Sequence, residues 1–116
     1  MDSANRKIKK YGTVVRVWLA QFIAHRTNAP DATYELIADD VRHHYQVVRT
    51  GWLDGRFYHK VVFHLNIKDN AKVWILVNNT DLLLTDDLVA AGVLTSDIVI
   101  GFLPEEVRAF QGFAAA

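Results

Sequence analysis

The stretch RFYHKVVFHLNIK, residues 56–68, alternates apolar and polar side chains more clearly than any other part of the chain. Such alternation is typical of a strand that packs on a core with one face only. The predicted core-facing residues are Phe57, Val61, Phe63, Leu65 and Ile67. The predicted outward-facing residues are Tyr58, Lys60, His64, Asn66 and Lys68. We therefore predict a sheet that is built around this strand.

The segments on either side of this strand predict antiparallel neighbours. Asp54-Gly55 has the composition of a tight hairpin turn, and residues 68–72 form a looser second turn. Further strands are predicted at about residues 33–38, 44–53 and 72–78, with a short apolar strand within 97–102. Because the connections are short, the strands should form an antiparallel meander.

Helices are predicted at both ends of the sheet region. From residue 3 to about residue 26, apolar side chains recur at intervals of three and four, which indicates an amphipathic helix. Asp2 or Ser3 is the predicted cap of this helix, and residues 28–30 are its predicted stop. A second helix is predicted over residues 81–91, capped by Thr80 and ended by Gly92.

A last helical turn is predicted to open at Pro104, since proline suits the first turn of a helix. The predicted fold class is therefore α+β. An N-terminal amphipathic helix packs on an antiparallel four- to five-stranded meander sheet, with a second helix and a short C-terminal helical turn. No linker or internal repeat interrupts residues 1–116, so one domain is expected.

Composition excludes several classes of protein. With 51% hydrophobic residues in 116, the chain can bury enough apolar surface to fold. It contains no cysteine, which excludes disulfides, a thiolate nucleophile and sulfur-ligated metal sites. No apolar stretch approaches the ~20 residues of a membrane-spanning helix. A cytoplasmic location and no membrane association are expected.

No catalytic or cofactor-binding pattern is present in the sequence. The only serines, Ser3 and Ser96, stand at predicted helix starts or turns. His44 and His64 can meet across neighbouring strands, but two histidines lack the third ligand that a zinc or iron site normally requires. We therefore predict a non-enzymatic protein without a metal or cofactor.

Charge is unevenly distributed, although the formal net charge is zero. Residues 1–26 carry six Arg and Lys against one Asp. Such a cluster occurs on nucleic-acid-binding faces and, more often, on solvated helix faces. If the chain binds DNA, the residues expected to contact phosphates are Arg6, Lys7, Lys9, Lys10 and Arg16.

An ordered series of short segments carries a family resemblance. The segments are His43-His44-Tyr45-Gln46, Gly51-Trp52, residues 64–69 (HLNIKD), 72–75 (KVWI), 87–93 (DLVAAGV), 97–102 (DIVIGF) and 113–116 (FAAA). In this order and spacing, from about residue 5 to the C-terminus, the chain resembles the XisI family. These are the fdxN-element excision controlling factors, found largely in cyanobacteria.

The resemblance implies a small regulatory protein of programmed DNA excision that is encoded beside a partner called XisH, while a separate recombinase performs the chemistry. On this hypothesis the chain binds a XisH-like protein. Independently of the resemblance, a sheet that is covered on one face only predicts a homodimer or larger assembly. The expected partner-binding residues are Arg42, His43, Tyr45, Gln46, Trp52 and Trp74. The expected outer face of the sheet, for contact with another copy, carries Tyr58, Val62, Trp74 and Leu76. Two alternatives stay open: DNA binding through the N-terminal helix, and a small-ligand or hydrolytic site at residues 42–45.

Overall fold

A computed structural model describes residues 3–26 and 32–116 of the chain. Helix α1 (Ser3–Ala24) precedes strands β1 (Ala32–Asp39), β2 (His44–Leu53), β3 (Arg56–Ile67) and β4 (Val73–Asn78). Helix α2 (Leu84–Ala90), strand β5 (Ile98–Ile100) and the short helix α3 (Glu105–Arg108) follow. The predicted cap at Asp2 and the predicted stop at residues 28–30 lie outside the described residues.

Helix α1 covers one face of the sheet, as its periodicity predicts. Its buried stripe is Tyr11, Gly12, Val15, Leu19 and Phe22. The helix packs across β1, β2 and β3. Among the described residues, no helix combines the length and apolar character needed to cross a membrane.

The five strands are ordered β1-β2-β3-β4-β5 in one sheet. The first four form the predicted antiparallel meander, joined through the expected turns at Asp54-Gly55 and residues 68–72. Strand β5 differs because it runs parallel to β4. A parallel neighbour needs a crossover connection, and the segment that contains α2 supplies it. The α+β fold is confirmed, with a mixed rather than purely antiparallel sheet.

Two β-bulges change which side chains face the core. In β2–β3 the register passes from Val47↔Phe63 to Val48↔Val61, so Val62 has no opposite partner. An extra residue reverses the alternation beyond it. Phe57 and Val61 therefore face away from α1, and Phe57 is 56% exposed, so the prediction that both lie on the core face is wrong. Val62 is instead buried in the core, and the second bulge lies in β4, where Leu76 is the extra residue.

Tyr58 also differs from the prediction. The Arg49 guanidinium lies over the rings of both Tyr34 and Tyr58, and Tyr34 contacts Phe22 of α1. Tyr58 thus lies on the helix side of the sheet. The prediction that Tyr58 and Val62 belong to the outer face is wrong, because it assumed unbroken alternation along β3.

The second helix is shorter at its start than predicted. It begins at Leu84 after Leu83, which makes no side-chain capping bond. The Thr80 hydroxyl instead accepts a bond from the amide of Leu82, forming a local turn before the helix. Gly92 ends the helix with φ of 108°, in the left-handed region expected there. Beyond α3, the tail pairs with β5 through the Ala114 amide and the Ile98 carbonyl, 2.8 Å apart.

Candidate protein-binding face of the sheet

Helix α1 covers one side of the sheet, and the opposite side of β1–β3 is open. We call this side the open face. Directly paired residues lie on the same side of a sheet, so its residues are Thr33, Glu35, Ile37, Asp39, His44, Gln46, Val48, Thr50, Trp52, Phe57, His59, Val61, His64 and Asn66. The positions on β2 and β3 hold no Asp, Glu, Lys or Arg, whereas β1 contributes the carboxylates of Glu35 and Asp39. Exposure is high at Ile37, at 46%, while Val48 near the centre is only 4% exposed. The open face therefore has an uncharged area of apolar, aromatic, amide and imidazole groups on β2 and β3, with two carboxylates on β1 at its edge.

An aromatic pair stands at the hairpin end of the open face. The tight turn at Asp54 and Gly55 has left-handed φ angles of 50° and 75°, and it brings Trp52 opposite Phe57. Their ring centroids are 5.2 Å apart in an edge-to-face arrangement. Both side chains are 56% exposed, and the adjacent Leu53 is 59% exposed. This exposed apolar hairpin tip is the most hydrophobic part of the open face.

Two histidines meet on the open face beside Gln46. His44 Nδ1 lies 2.9 Å from His64 Nε2, and both side chains are half-buried. Burial, and secondarily the proximity of His44, lowers the pKa of His64. His64 therefore favours the neutral imidazole form.

The turn between β1 and β2 holds two of the predicted partner-binding residues. Asp39 Oδ1 accepts bonds from the amides of Val41 and Arg42, each at 2.9 Å, and these bonds lower the pKa of Asp39. His43 adopts a left-handed φ of 60°. The guanidinium of Arg42 is exposed at the rim of the open face. This turn places Arg42 and His43 beside the strand end, where β2 begins.

Tyr45 lies on the opposite side of the sheet from Gln46. It is 1% exposed beneath α1, and its hydroxyl donates to Asp40 Oδ1 at 2.9 Å. Asp40 also pairs with Arg16 at 3.0 Å. Gly12 permits this packing, because a Cβ there would lie 3.0 Å from the Tyr45 hydroxyl. Tyr45 thus joins α1 to the β1–β2 turn rather than contributing to the open face.

A cleft lies between α1 and that turn. Its volume is about 570 Å³, and its walls include Lys9, Arg16, Asp40, His43 and Tyr45. The proposed small-ligand region at residues 42–45 and the basic helix therefore meet here. Lysine and arginine side chains share the cleft with carboxylates, so its charges are mixed rather than suited to one sign of ligand.

Trp74 belongs to the same side of the sheet as the open face but is flanked by cations of the chain itself. Lys68 Nζ lies 5.6 Å and the Arg108 guanidinium 5.2 Å from the centre of its rings. The close backbone of Gly101 completes this packing, since a Cβ there would meet the indole at 2.9 Å. The structure thus places Trp74 in contact with α3, apart from the exposed Trp52.

The basic residues of α1 do not form one free surface. Lys7 pairs with Asp97 at 3.1 Å, and Lys10 donates to the Gly92 carbonyl at 3.4 Å. Arg16 pairs with Asp40 as described above. Arg6 and Lys9 remain exposed. Three of the five predicted phosphate-contacting residues therefore bind groups of the chain itself.

Sequence reasoning missed three residues that organise this region. Asn66 is 4% exposed, and its Nδ2 donates to the carbonyls of Arg42 at 3.2 Å and His43 at 2.9 Å. Phe57 lies on the open face because of the bulge at Val62, which the sequence does not indicate. Asp97 is buried and accepts a 2.6 Å bond from Tyr11. A polar residue inside a strongly apolar stretch is the one signal that could have identified Asn66 and Asp97.

Comparison with known proteins identifies close structural counterparts. A family model described as XisI protein matches residues 5–115. The crystal structure of a XisI-like protein from Anabaena variabilis ATCC 29413 is 31% identical, with a TM-score of 0.88, over 94% of this chain and 99% of that one.

A second crystal structure, the fdxN element excision controlling factor XisI from the same organism, is 26% identical. It superposes with a TM-score of 0.82 over 95% of this chain and 99% of that one. No curated protein sequence matches the chain significantly.

Proposed function

Since the chain belongs to the XisI family, we propose that it is an accessory, non-catalytic protein in the control of programmed DNA-element excision. It acts by binding a partner protein of the XisH kind, which contacts the open face. The name of the similar Anabaena protein, an excision controlling factor, supports the regulatory role. The XisH-like partner comes from the family resemblance described above.

The open face is the observation that carries this proposal. Its β2 and β3 positions bear no charge in a chain of which 22% of residues are charged. At ~3.3 Å per residue and ~4.8 Å between strands, the face spans on the order of 600 Å². A standard interface buries about 800 Å² on each partner, so the open face together with the Arg42–His43 rim approaches that size.

The hairpin tip supplies the anchor that such an interface needs. Binding energy is concentrated in a few well-packed residues, among which tryptophan, tyrosine and arginine are enriched. Trp52 and Phe57 present exposed rings, and Gln46 lies nearer the centre of the face. Trp52 is therefore the residue expected to contribute most to binding.

Direct DNA binding is less well supported by the contacts of α1. Affinity for DNA depends mainly on cations that are available to phosphates. Lys7 and Arg16 are neutralised by carboxylates, and Lys10 is directed at a carbonyl. Arg6 and Lys9 alone would give weak, steeply salt-dependent binding.

The proposal is tested by co-expressing the chain with a XisH-like protein and measuring the affinity of the purified pair by calorimetry. Trp52→Ala should weaken the complex by about 2 kcal/mol, or roughly 30-fold. Phe110→Ala is the matched control, because Phe110 is 85% exposed and lies beyond α3, outside the open face. It should leave the affinity unchanged.

Two results would contradict the proposal. One is the absence of association between the two folded proteins at concentrations on the order of tens of micromolar. The other is that Trp52→Ala and Phe110→Ala change the affinity for the XisH-like protein by the same amount. Circular dichroism of each variant shows whether a loss of binding reflects a loss of fold.

A further inference from the structure

The His44–His64 pair brings two imidazole nitrogens to a separation that one metal ion can span. His44 stands at the start of β2 opposite Asn66, and His64 lies two residues back along β3, opposite Gln46. This diagonal across antiparallel strands brings His44 Nδ1 to 2.9 Å from His64 Nε2, with the rings inclined at 56°. The pairing of the two strands places these side chains next to each other.

The distance between His44 Nδ1 and His64 Nε2 agrees with the distance between two nitrogen ligands of one transition-metal ion. Metal–imidazole bonds are about 2.0–2.1 Å long, so a right-angled pair of ligands places the two nitrogens about 2.9 Å apart. A tetrahedral pair would place them about 3.3 Å apart. The observed 2.9 Å fits the right-angled arrangement, which Cu²⁺ and Ni²⁺ adopt with nitrogen ligands.

We propose that His44 and His64 form a two-histidine site for an exchangeable transition-metal ion, with Cu²⁺ the strongest-binding member of the series. In the metal-free pair, one imidazole donates its proton to the facing nitrogen of the other. Metal binding requires both facing nitrogens, His44 Nδ1 and His64 Nε2, to be unprotonated. The proton of each neutral ring then stands on its far nitrogen, His44 Nε2 or His64 Nδ1, and no proton is released.

The surroundings set the strength of this site. Within residues 3–26 and 32–116, no cluster of three or more His, Cys, Asp or Glu residues is placed to hold a metal. Two protein ligands leave the remaining positions to water, or to groups of a protein that covers the open face. The site therefore differs from a closed structural zinc site, and the bound ion should exchange readily. The inference does not depend on the proposed XisH-like partner.

The experiment is titration of the full chain, without a polyhistidine tag, with Cu²⁺ by calorimetry. The expected result is one equivalent of Cu²⁺ per chain, with a nitrogen hyperfine pattern of two imidazoles in the electron paramagnetic resonance spectrum. His44→Gln and His64→Gln should each weaken binding by about tenfold or more, because the second ligand no longer binds intramolecularly.

His59→Gln is the matched control. His59 lies on the same face and strand as His64, is exposed, and has its Nδ1 2.8 Å from the Thr50 hydroxyl. The His59→Gln variant should bind Cu²⁺ with the same affinity as the unmodified chain. The proposal is overturned if no saturable binding occurs, or if His44→Gln and His64→Gln bind as tightly as His59→Gln. Circular dichroism identifies any variant that fails to fold, for which the alanine substitution replaces glutamine.

Discussion

At the scale of single residues, the Tyr45 hydroxyl connects α1 to the β1–β2 turn and makes the fold sensitive to alkali. Burial, and then its bond to Asp40, raises the pKa of Tyr45 to about 12. In the unfolded chain, tyrosine ionises near ~10. Because the folded state holds the proton more tightly, the stabilisation is complete below pH ~10 and is lost as the pH rises through about 12.

This pH dependence is measurable by urea denaturation at a series of pH values between ~9 and ~11. The free energy of unfolding should fall as the pH rises. Tyr45→Phe should make the fall less steep, leaving the contribution of Tyr11, whose pKa is raised by burial and by its bond to Asp97. An unchanged slope in Tyr45→Phe would show that the Tyr45 hydroxyl is not protected in the folded protein.

Tyr11 gives a second prediction at the same scale. Its hydroxyl donates to the buried Asp97 carboxylate at 2.6 Å, and Lys7 is the other partner of that carboxylate. Tyr11→Phe leaves the buried charge with fewer hydrogen bonds, so we expect a loss of about 2 kcal/mol in the free energy of unfolding.

The matched control is Tyr34→Phe. Tyr34 packs its ring against Phe22, and its hydroxyl has no hydrogen bond among the described residues. This variant should change stability by much less than Tyr11→Phe in the same denaturation experiment. Equal losses would mean that the Asp97 bond contributes nothing measurable.

At the scale of elements, local periodicity predicted what each segment is, whereas bulges decided where its side chains point. The stripe of α1 and the two hairpin turns were predictable, because helix spacing and turn chemistry are local properties. Val62 and Leu76 carry no residue-type signal for an inserted position. The reversal that exposes Phe57 arises from pairing between strands, which a single sequence does not specify.

The candidate site was predictable in part for the same reason. Trp52 and Gln46 lie on the open face, whereas Tyr45 lies beneath α1. Adjacent strand residues alternate between faces, so residues that are consecutive in sequence cannot all contact one partner surface. The position of Trp74 against Arg108 depends on α3, 30 residues or so further along the chain.

At the same scale, we predict that Asn66 stabilises the β1–β2 turn. Its side-chain amide bonds two carbonyls of that turn, at Arg42 and His43, from within the sheet. Asn66→Ala should cost about 2 kcal/mol in the free energy of unfolding, because the amide is buried and both bonds are lost. Hydrogen exchange at residues 40–44 should also accelerate.

Asn79→Ala serves as the control for this substitution. Asn79 is exposed and donates one side-chain bond, to the Val61 carbonyl at 2.9 Å. Asn79→Ala should lower the free energy of unfolding by less than Asn66→Ala does. It should leave hydrogen exchange at residues 40–44 unchanged. If Asn66→Ala does not accelerate that exchange, the turn is held by Asp39 rather than by Asn66.

At the scale of the whole molecule, the shape follows from the long β2–β3 hairpin. The radius of gyration is 15.1 Å, compared with about 13 Å expected for a compact chain of this length. The extents are 50 × 32 × 24 Å, and the hairpin tip carries the exposed Trp52, Leu53 and Phe57. An elongated molecule whose open face is uncharged on β2 and β3 offers a large area for association without rearrangement of its core.

The open face therefore predicts self-association when no other partner is present. A twofold axis brings identical surfaces together, and the β2–β3 part of the open face, which bears no charge, meets no repulsion from its own copy. We expect a homodimer or larger assembly in light scattering at micromolar concentration. A XisH-like protein that binds the same face should dissociate this assembly, because both partners compete for Trp52 and its neighbours.

Ile37→Lys tests this prediction, because it places a charge on the open face at a side chain that is 46% exposed. Val17→Lys is the matched control, since Val17 is 49% exposed and lies on α1, on the other side of the sheet. Burying a charge in an interface has a desolvation cost that the neighbouring Glu35 and Asp39 carboxylates offset only in part, so Ile37→Lys should give a monomer while Val17→Lys keeps the assembly. A monomeric unmodified chain at micromolar concentration, or assembly retained in Ile37→Lys, would show that copies of the chain do not associate through the open face.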